Sequence, residues 1–238
     1  MAKTAQLDLP LVLPAQAQKH VTVNEAFARL DAVAQLRLVS AAVATPPGEA
    51  QEGAAWLVPA GAAGAWAGQA GKIAVRSNGG WVFVSPKAGW RAWDAGAGAY
   101  RTCYGAGWVA DAFAVSPGGA GTQLRVVEFD HAITAGASNL TSVPIPAQAQ
   151  VIGVTGRVVT ALTGGGLTGW RVGVAGSDNR YGSGLGVGTN SYLRGLSGSP
   201  VTYYSDTPLL LSAEGGAFAA GVVRLALHLV ELEPPQAV

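Results

Sequence analysis

VVRLALHLVE, residues 222–231, decides the fold. Val223, Leu225, Leu227 and Leu229 fall on one side of an extended strand, and Arg224, His228 and Val230 fall on the other. That period-two alternation marks a half-buried sheet strand. Upstream, residues 123–131, 150–161, 167–175, 201–204 and 208–213 are further strand candidates, separated by glycine-rich loops. No helical pattern intervenes, which disfavours a parallel sheet. The expectation for residues 122–234 is therefore an antiparallel β-sandwich of jelly-roll-like order. Its edge strands need bulges or association to protect them.

SPGGAG, residues 116–121, lacks both periodicity and apolar side chains and is expected to be a linker. Before it, residues 45–115 form a small tryptophan-rich β-module with short strands at 54–58, 71–76, 81–85, 89–93 and 99–104. SNGG at 77–80 predicts a tight hairpin, because Asn-Gly tolerates the positive φ angles of a primed turn. Six of the seven tryptophans lie here: Trp56, Trp66, Trp81, Trp90, Trp93 and Trp108. Such rings either build the core of a module poor in Leu and Ile, or leave one or two faces free to stack on sugars.

The first 44 residues are expected to form an extended arm and one helix. Residues 36–44 alternate loosely as a strand that ends at Thr45-Pro46-Pro47-Gly48. Thr22 followed by Glu25 fits a capping box and predicts a helix start near Val23. Val23, Phe27, Leu30 and Ala34 then fall at i, i+4, i+7 and i+11, a narrow apolar stripe. A helix of about four turns is marginal alone. The stripe is therefore expected to serve attachment or self-association, with packing inside the chain as the other option.

PAQAQKHVTVNEAFARLDAVAQL (14–36) and GAWAGQAGKIAVRSNGGWVFVSPKAGWRAWD (64–94) resemble an alphaproteobacterial phage-tail family of prophages and gene transfer agents, whose N-terminal domain is DUF2793-like. The run Ala15-Gln16-Ala17-Gln18-Lys19-His20 and the triplet Asn24-Glu25-Ala26 carry the likeness. DNRYGSGLG (178–186) and YYSDTPLLLSAEGG (203–216) resemble the distal domain of some of these fibres. The resemblance implies a tail-fibre or host-attachment protein. Such a protein is made in the cytoplasm and released by lysis on a particle. It is anchored by its N-terminus to a baseplate or other tail proteins, and is homotrimeric by the usual fibre symmetry.

Composition narrows the classes. A net charge of +1 with 12% charged residues leaves no basic footprint for nucleic acid. No apolar run approaches the roughly 20 residues of a membrane span, and the first ten residues lack the pattern of a signal peptide. Cys103 stands alone, against a disulfide framework or a multi-cysteine zinc site. No metal and no cofactor are expected. His20, His131 and His228 are dispersed. The carboxylates Asp178, Asp206 and Glu214 are glycosidase candidates by location only, and no nucleophile or phosphate-loop motif is present. The protein is expected not to be an enzyme.

Between residues 177 and 193, polar and aromatic residues alternate with glycines in what is expected to be a loop. Asp178, Asn179, Arg180, Tyr181, Tyr192 and Arg194 offer acceptors, forked donors and stacking faces suited to a cell-surface polysaccharide, and Tyr203 and Tyr204 extend the set. Against this, Asp178-Asn179 also fits an Asx turn, and Arg180 a simple ion pair. The alternative to a receptor-binding fibre is a purely structural tail or baseplate component whose glycine-rich loops only make subunit contacts.

Overall fold

Strands dominate both units of the chain, Met1–Gly121 with Pro234–Val238 and Thr122–Glu233, in a computed structural model that describes residues 3–12, 19–105 and 107–237. The first unit opens with helix α1 (Lys19–Ala34). Thr22 lies within its first turn, so it is not the N-cap that its spacing to Glu25 predicted. Nothing between Lys19 and Thr22 breaks a helix, so the backbone ladder runs on upstream. The true cap position and most of the Ala15–His20 motif lie outside the described residues.

The helix faces its own unit with Ala28, Asp31 and Ala32, small or polar residues that let it lie close to a sheet. The predicted stripe turns elsewhere. Val23 is 37% and Leu30 50% exposed, Ala34 is exposed and Phe27 half-buried. Asp31, at 2% exposure, ties the N-terminal arm down. Its carboxylate accepts from the Thr4 hydroxyl (2.7 Å) and from the backbone N–H groups of Gln6 (2.9 Å) and Leu7 (2.6 Å). Asn24 clamps the arm again, accepting from Val12 N–H and donating to Val12 C=O.

The sheet under the helix contains β1 (Arg37–Leu38), β2 (Ala55–Leu57), β3 (Ile73–Ser77), β4 (Gly80–Val84), β5 (Arg91–Asp94), β6 (Ala99–Cys103) and β7 (Trp108–Ala110). Their order is β4-β3-β2-β1-β5-β6-β7. The strand expected over 36–44 shrinks to β1, which pairs parallel with both β2 and β5. Both sides of β2 and β3 are covered. Ala55, Leu57, Ile73 and Val75 join Ala32 of the helix in one core, while Trp56 and Ala74 pack with Trp66 in a second. Trp66 sits on a 3-10 turn, Gly64–Trp66, and is fully buried. Its ring meets Trp81 edge-on at 5.0 Å and Trp56 at 6.1 Å, so three of the six tryptophans form a packing triangle.

SNGG behaves as its residues dictate. Asn78 (φ 50°) and Gly79 (φ 74°) make a two-residue turn between β3 and β4, and Glu52 accepts both their N–H groups. Asp94 does the same for the β5–β6 turn, taking Gly96 and Ala97 N–H while pairing with Arg101 at 2.7 Å. After β8 (Ala112–Val115), SPGGA is a closed turn and not an open linker. Ser116 N–H donates to Ala120 C=O, Gly119 N–H to Ser116 C=O, and Ala120 N–H to the Ser116 hydroxyl.

The second unit contains β9 (Gly121–Ala132), β10 (Ser138–Ile145), β11 (Gln150–Thr163), β12 (Gly169–Val174), β13 (Ser177–Leu185), β14 (Tyr192–Thr202), β15 (Thr207–Glu214) and β16 (Ala220–Glu233). One sheet runs β14-β11-β16-β9 and the other β10-β15-β12-β13. With β9 counted as the first strand, these orders are 6-3-8-1 and 2-7-4-5, the arrangement of a jelly roll. Val223, Leu225, Leu227 and Leu229 of β16 are all buried, as their alternation predicted. On β11 the inward residues change from Val151 to Val154 and Val158, because a register shift between Val151 and Gly153 moves the strand by one residue.

Two strands depart from expectation. β10 carries no apolar alternation, because Asn139 and Thr141 occupy inward positions. Thr134 pairs with the Asn139 amide, and Thr141 accepts Leu209 N–H. The predicted loop at 177–193 is strand β13 and the start of β14, joined by residues 186–191. Gly195 lets these two strands approach, since a Cβ there would run into the Tyr181 carbonyl.

Candidate functional site

The jelly roll divides the expected polysaccharide-binding residues instead of gathering them. Tyr181 is buried, and its hydroxyl shares a 2.8 Å hydrogen bond with that of Tyr203, which packs against the same core. Tyr181 is thus a core residue and not a ligand contact, while Tyr203 is half-buried beside it. Asp178 lies in β13 and pairs with Arg171 at 2.7 Å, so it forms neither the Asx turn nor a pair with Arg180. The turn itself is Ala175-Gly176, with Gly176 at φ 80°. Asn179 and Arg180 are exposed on β13, in the other sheet from Tyr192 and Arg194. Tyr204 is 79% exposed just after β14.

Tyr192 and Arg194 do come together. They share the outer side of β14, with the Arg194 guanidinium 5.9 Å from the Tyr192 ring centre. Across the sheet, Tyr192 is registered with Arg157, and Arg157 with Arg224. Arg194 is registered with Thr155, and Thr155 with Ala226. These residues line a trough of about 410 Å³ in which the small Thr155 and Ala226 lie beside the long Arg157 and Arg224, with Glu128 also in its lining. Asp130 accepts from Arg224 through both carboxylate oxygens (2.7 and 2.8 Å), a hydrogen-bonded pairing that holds its carboxyl below the usual range. His228 sits nearby, its Nε2 2.9 Å from the Thr155 hydroxyl. The sequence reading missed Thr155, Arg157 and Arg224, although the alternation on β16 already placed Arg224 on the outer side.

Burial, aided by Tyr203, pushes the Tyr181 hydroxyl far above the ordinary phenol range. An unfolded chain releases that proton near its reference pKa of about 10, while the folded one keeps it. The contribution to stability is complete below that pH and declines above it, by about 1.4 kcal/mol per pH unit. Tyr181→Phe is expected to flatten the alkaline side of a denaturation-against-pH curve by that slope. An unchanged slope would contradict the burial argument. His131 moves the other way, since desolvation lowers its pKa, and Asn139 opposes the shift.

The remaining titratable candidates hold local structure. Asp206 accepts Ala147 N–H, and Glu214 accepts Gly184 N–H. In the first unit Trp93 and Tyr100 face solvent edge-to-face at 5.0 Å, with Arg91 5.1 Å over Tyr100. Among the described residues no helix is long and apolar enough to cross a membrane.

The geometry thus defines a jelly roll with a polar, arginine-rich trough, and a separate helix-backed β-module. Residues 23–109, within that module, match the family described as "Protein of unknown function (DUF2793)". The match supports the DUF2793-like part of the resemblance and spans most of both N-terminal stretches that carry it. None of the curated proteins matches the sequence. Among solved structures, a chain described as "Cyanophage Pam1 capsid asymmetric unit" is 27% identical, over 47% of this chain and 84% of that one, with a TM-score of 0.34. A score that low leaves the fold assignment resting on strand order alone.

Proposed function

We propose that the protein is a tail-fibre or host-attachment component of a phage-like particle, whether phage, prophage or gene transfer agent. Its N-terminal unit anchors it to tail proteins and to its own copies, and its jelly roll contacts cell-surface polysaccharide. The observation that carries this reading is a division of exposed surface. Helix α1 leaves Val23 and Leu30 open in the first unit, while the second unit presents Tyr192, Arg194 and Tyr204 outward. The resemblance at residues 14–36 and 64–94, over which the DUF2793 match largely extends, supports the particle context. The protein acts by binding, without catalysis, and as a homotrimer whose several weak sites give avidity.

Light scattering tests the anchoring half. The full-length protein is expected at trimer mass, and Leu30→Asp is expected to lower that mass about threefold with the near-ultraviolet dichroism retained. Monomeric wild type would overturn it. Cell binding tests the other half, with host cells compared before and after removal of surface polysaccharide. A second reading, a structural tail or baseplate component, draws on Leu124, Val126, Leu196 and Leu232, which are exposed and apolar on the jelly roll. Incorporation into particles without any cell binding would favour it.

A further inference from the structure

We propose that the trough on the outer side of β14, β11 and β16 is the saccharide subsite, and that it takes a sugar bearing a carboxylate. The inference rests on the polysaccharide-binding reading above and gives it a place and a ligand class.

Charge decides the class. Of the three arginines around the trough, Arg224 is neutralised by Asp130 and approached by Glu128. Arg157 and Arg194 form no ion pair among the described residues. Arg157 donates one N–H to the Asn190 carbonyl at 3.1 Å, which orients its guanidinium and leaves its other donors for a ligand. A neutral sugar would leave both cations unmatched, whereas a carboxylate matches the guanidinium fork. Tyr192, 64% exposed, supplies a ring on which the C–H face of a pyranose can lie. Glu128 adds an acceptor for sugar hydroxyls at the opposite wall.

Calorimetry on the full-length protein tests this with trigalacturonate, its carboxyl-reduced neutral counterpart and inorganic sulfate. Trigalacturonate is expected to bind at least about tenfold more tightly than the reduced form. Arg157→Gln and Arg194→Gln are each expected to weaken the acid form about tenfold and the neutral form by clearly less, while Tyr192→Ala weakens both alike. Equal affinity for acid and neutral forms, no effect of the arginine variants, or no binding of trigalacturonate at millimolar concentration would overturn the proposal. Sulfate binding as tightly as trigalacturonate would reduce the trough to a simple anion site. On cells, a triple variant that binds as well as wild type would remove the trough alone, whereas wild type that ignores surface polysaccharide would remove the receptor reading as well.

Discussion

Trp66→Ala is expected to cost about 3–5 kcal/mol, the largest stability loss from any single truncation in the N-terminal unit. Trp66 has no exposed surface and packs against both Trp56 and Trp81. It fills the side of the sheet opposite helix α1, where, among the described residues, its buried neighbours are Trp56, Val58 and Ala74, with Trp81 and Phe83 half-buried around them. A core this small cannot close over the space that an indole leaves, so the cavity penalty adds to the lost transfer energy. Among the described residues, the indole N–H has no hydrogen-bond partner although it is buried. Trp66→Phe keeps a ring edge-on to Trp81 and removes that stranded donor, so it is expected to lose less than half as much. Urea titration followed by tryptophan fluorescence reads this unit, since six of the seven tryptophans belong to it. A midpoint for Trp66→Ala close to wild type would show that the triangle is not a core.

Legibility in the sequence followed burial. β16 was plain because its inward residues are Val and Leu throughout, and SNGG was plain because backbone sterics leave Asn-Gly few alternatives. β10 was hidden because its inward Asn139 and Thr141 are satisfied by hydrogen bonds and give no apolar signal. β13 was hidden because its one buried aromatic, Tyr181, is followed by Gly182 and Gly184, and Gly182 faces β14 across a close approach. The parallel pairing of β1 had no signal at all, since two residues carry no period. The site was half visible. Tyr192 and Arg194 were singled out by type, but their partners Thr155 and Arg157 come from β11, and only the register across β14, β11 and β16 brings them together. Tyr181 departs for the reverse reason: its ring is buried and its hydroxyl is satisfied by that of the half-buried Tyr203, so an aromatic residue that looks amphipathic in sequence belongs to the interior.

Asp31→Ala is expected to free the N-terminal arm and to cost about 3 kcal/mol, because bonds to a charged acceptor contribute more than neutral ones. The carboxylate takes three donors from one short stretch of arm, and Thr4 uses its hydroxyl twice, donating to Asp31 and accepting from Leu9 N–H. Removing Asp31 therefore unties Thr4, Gln6, Leu7 and Leu9 together. Asp31→Asn separates charge from shape. An amide keeps one acceptor but places an N–H₂ group against a backbone donor, so it should recover only part of the loss. The readout is amide exchange at Gln6, Leu7 and Leu9 beside that of β16. Faster exchange confined to the arm would identify Asp31 as its tether. Unchanged exchange would mean that other contacts hold the arm, namely the Asn24 clamp at Val12 and the Gln6 side-chain amide, which donates to the Gly53 carbonyl at 3.0 Å. If the arm anchors the chain to a particle, the Asp31→Ala protein should keep its affinity for polysaccharide and lose incorporation, because no residue of the trough lies in the N-terminal unit.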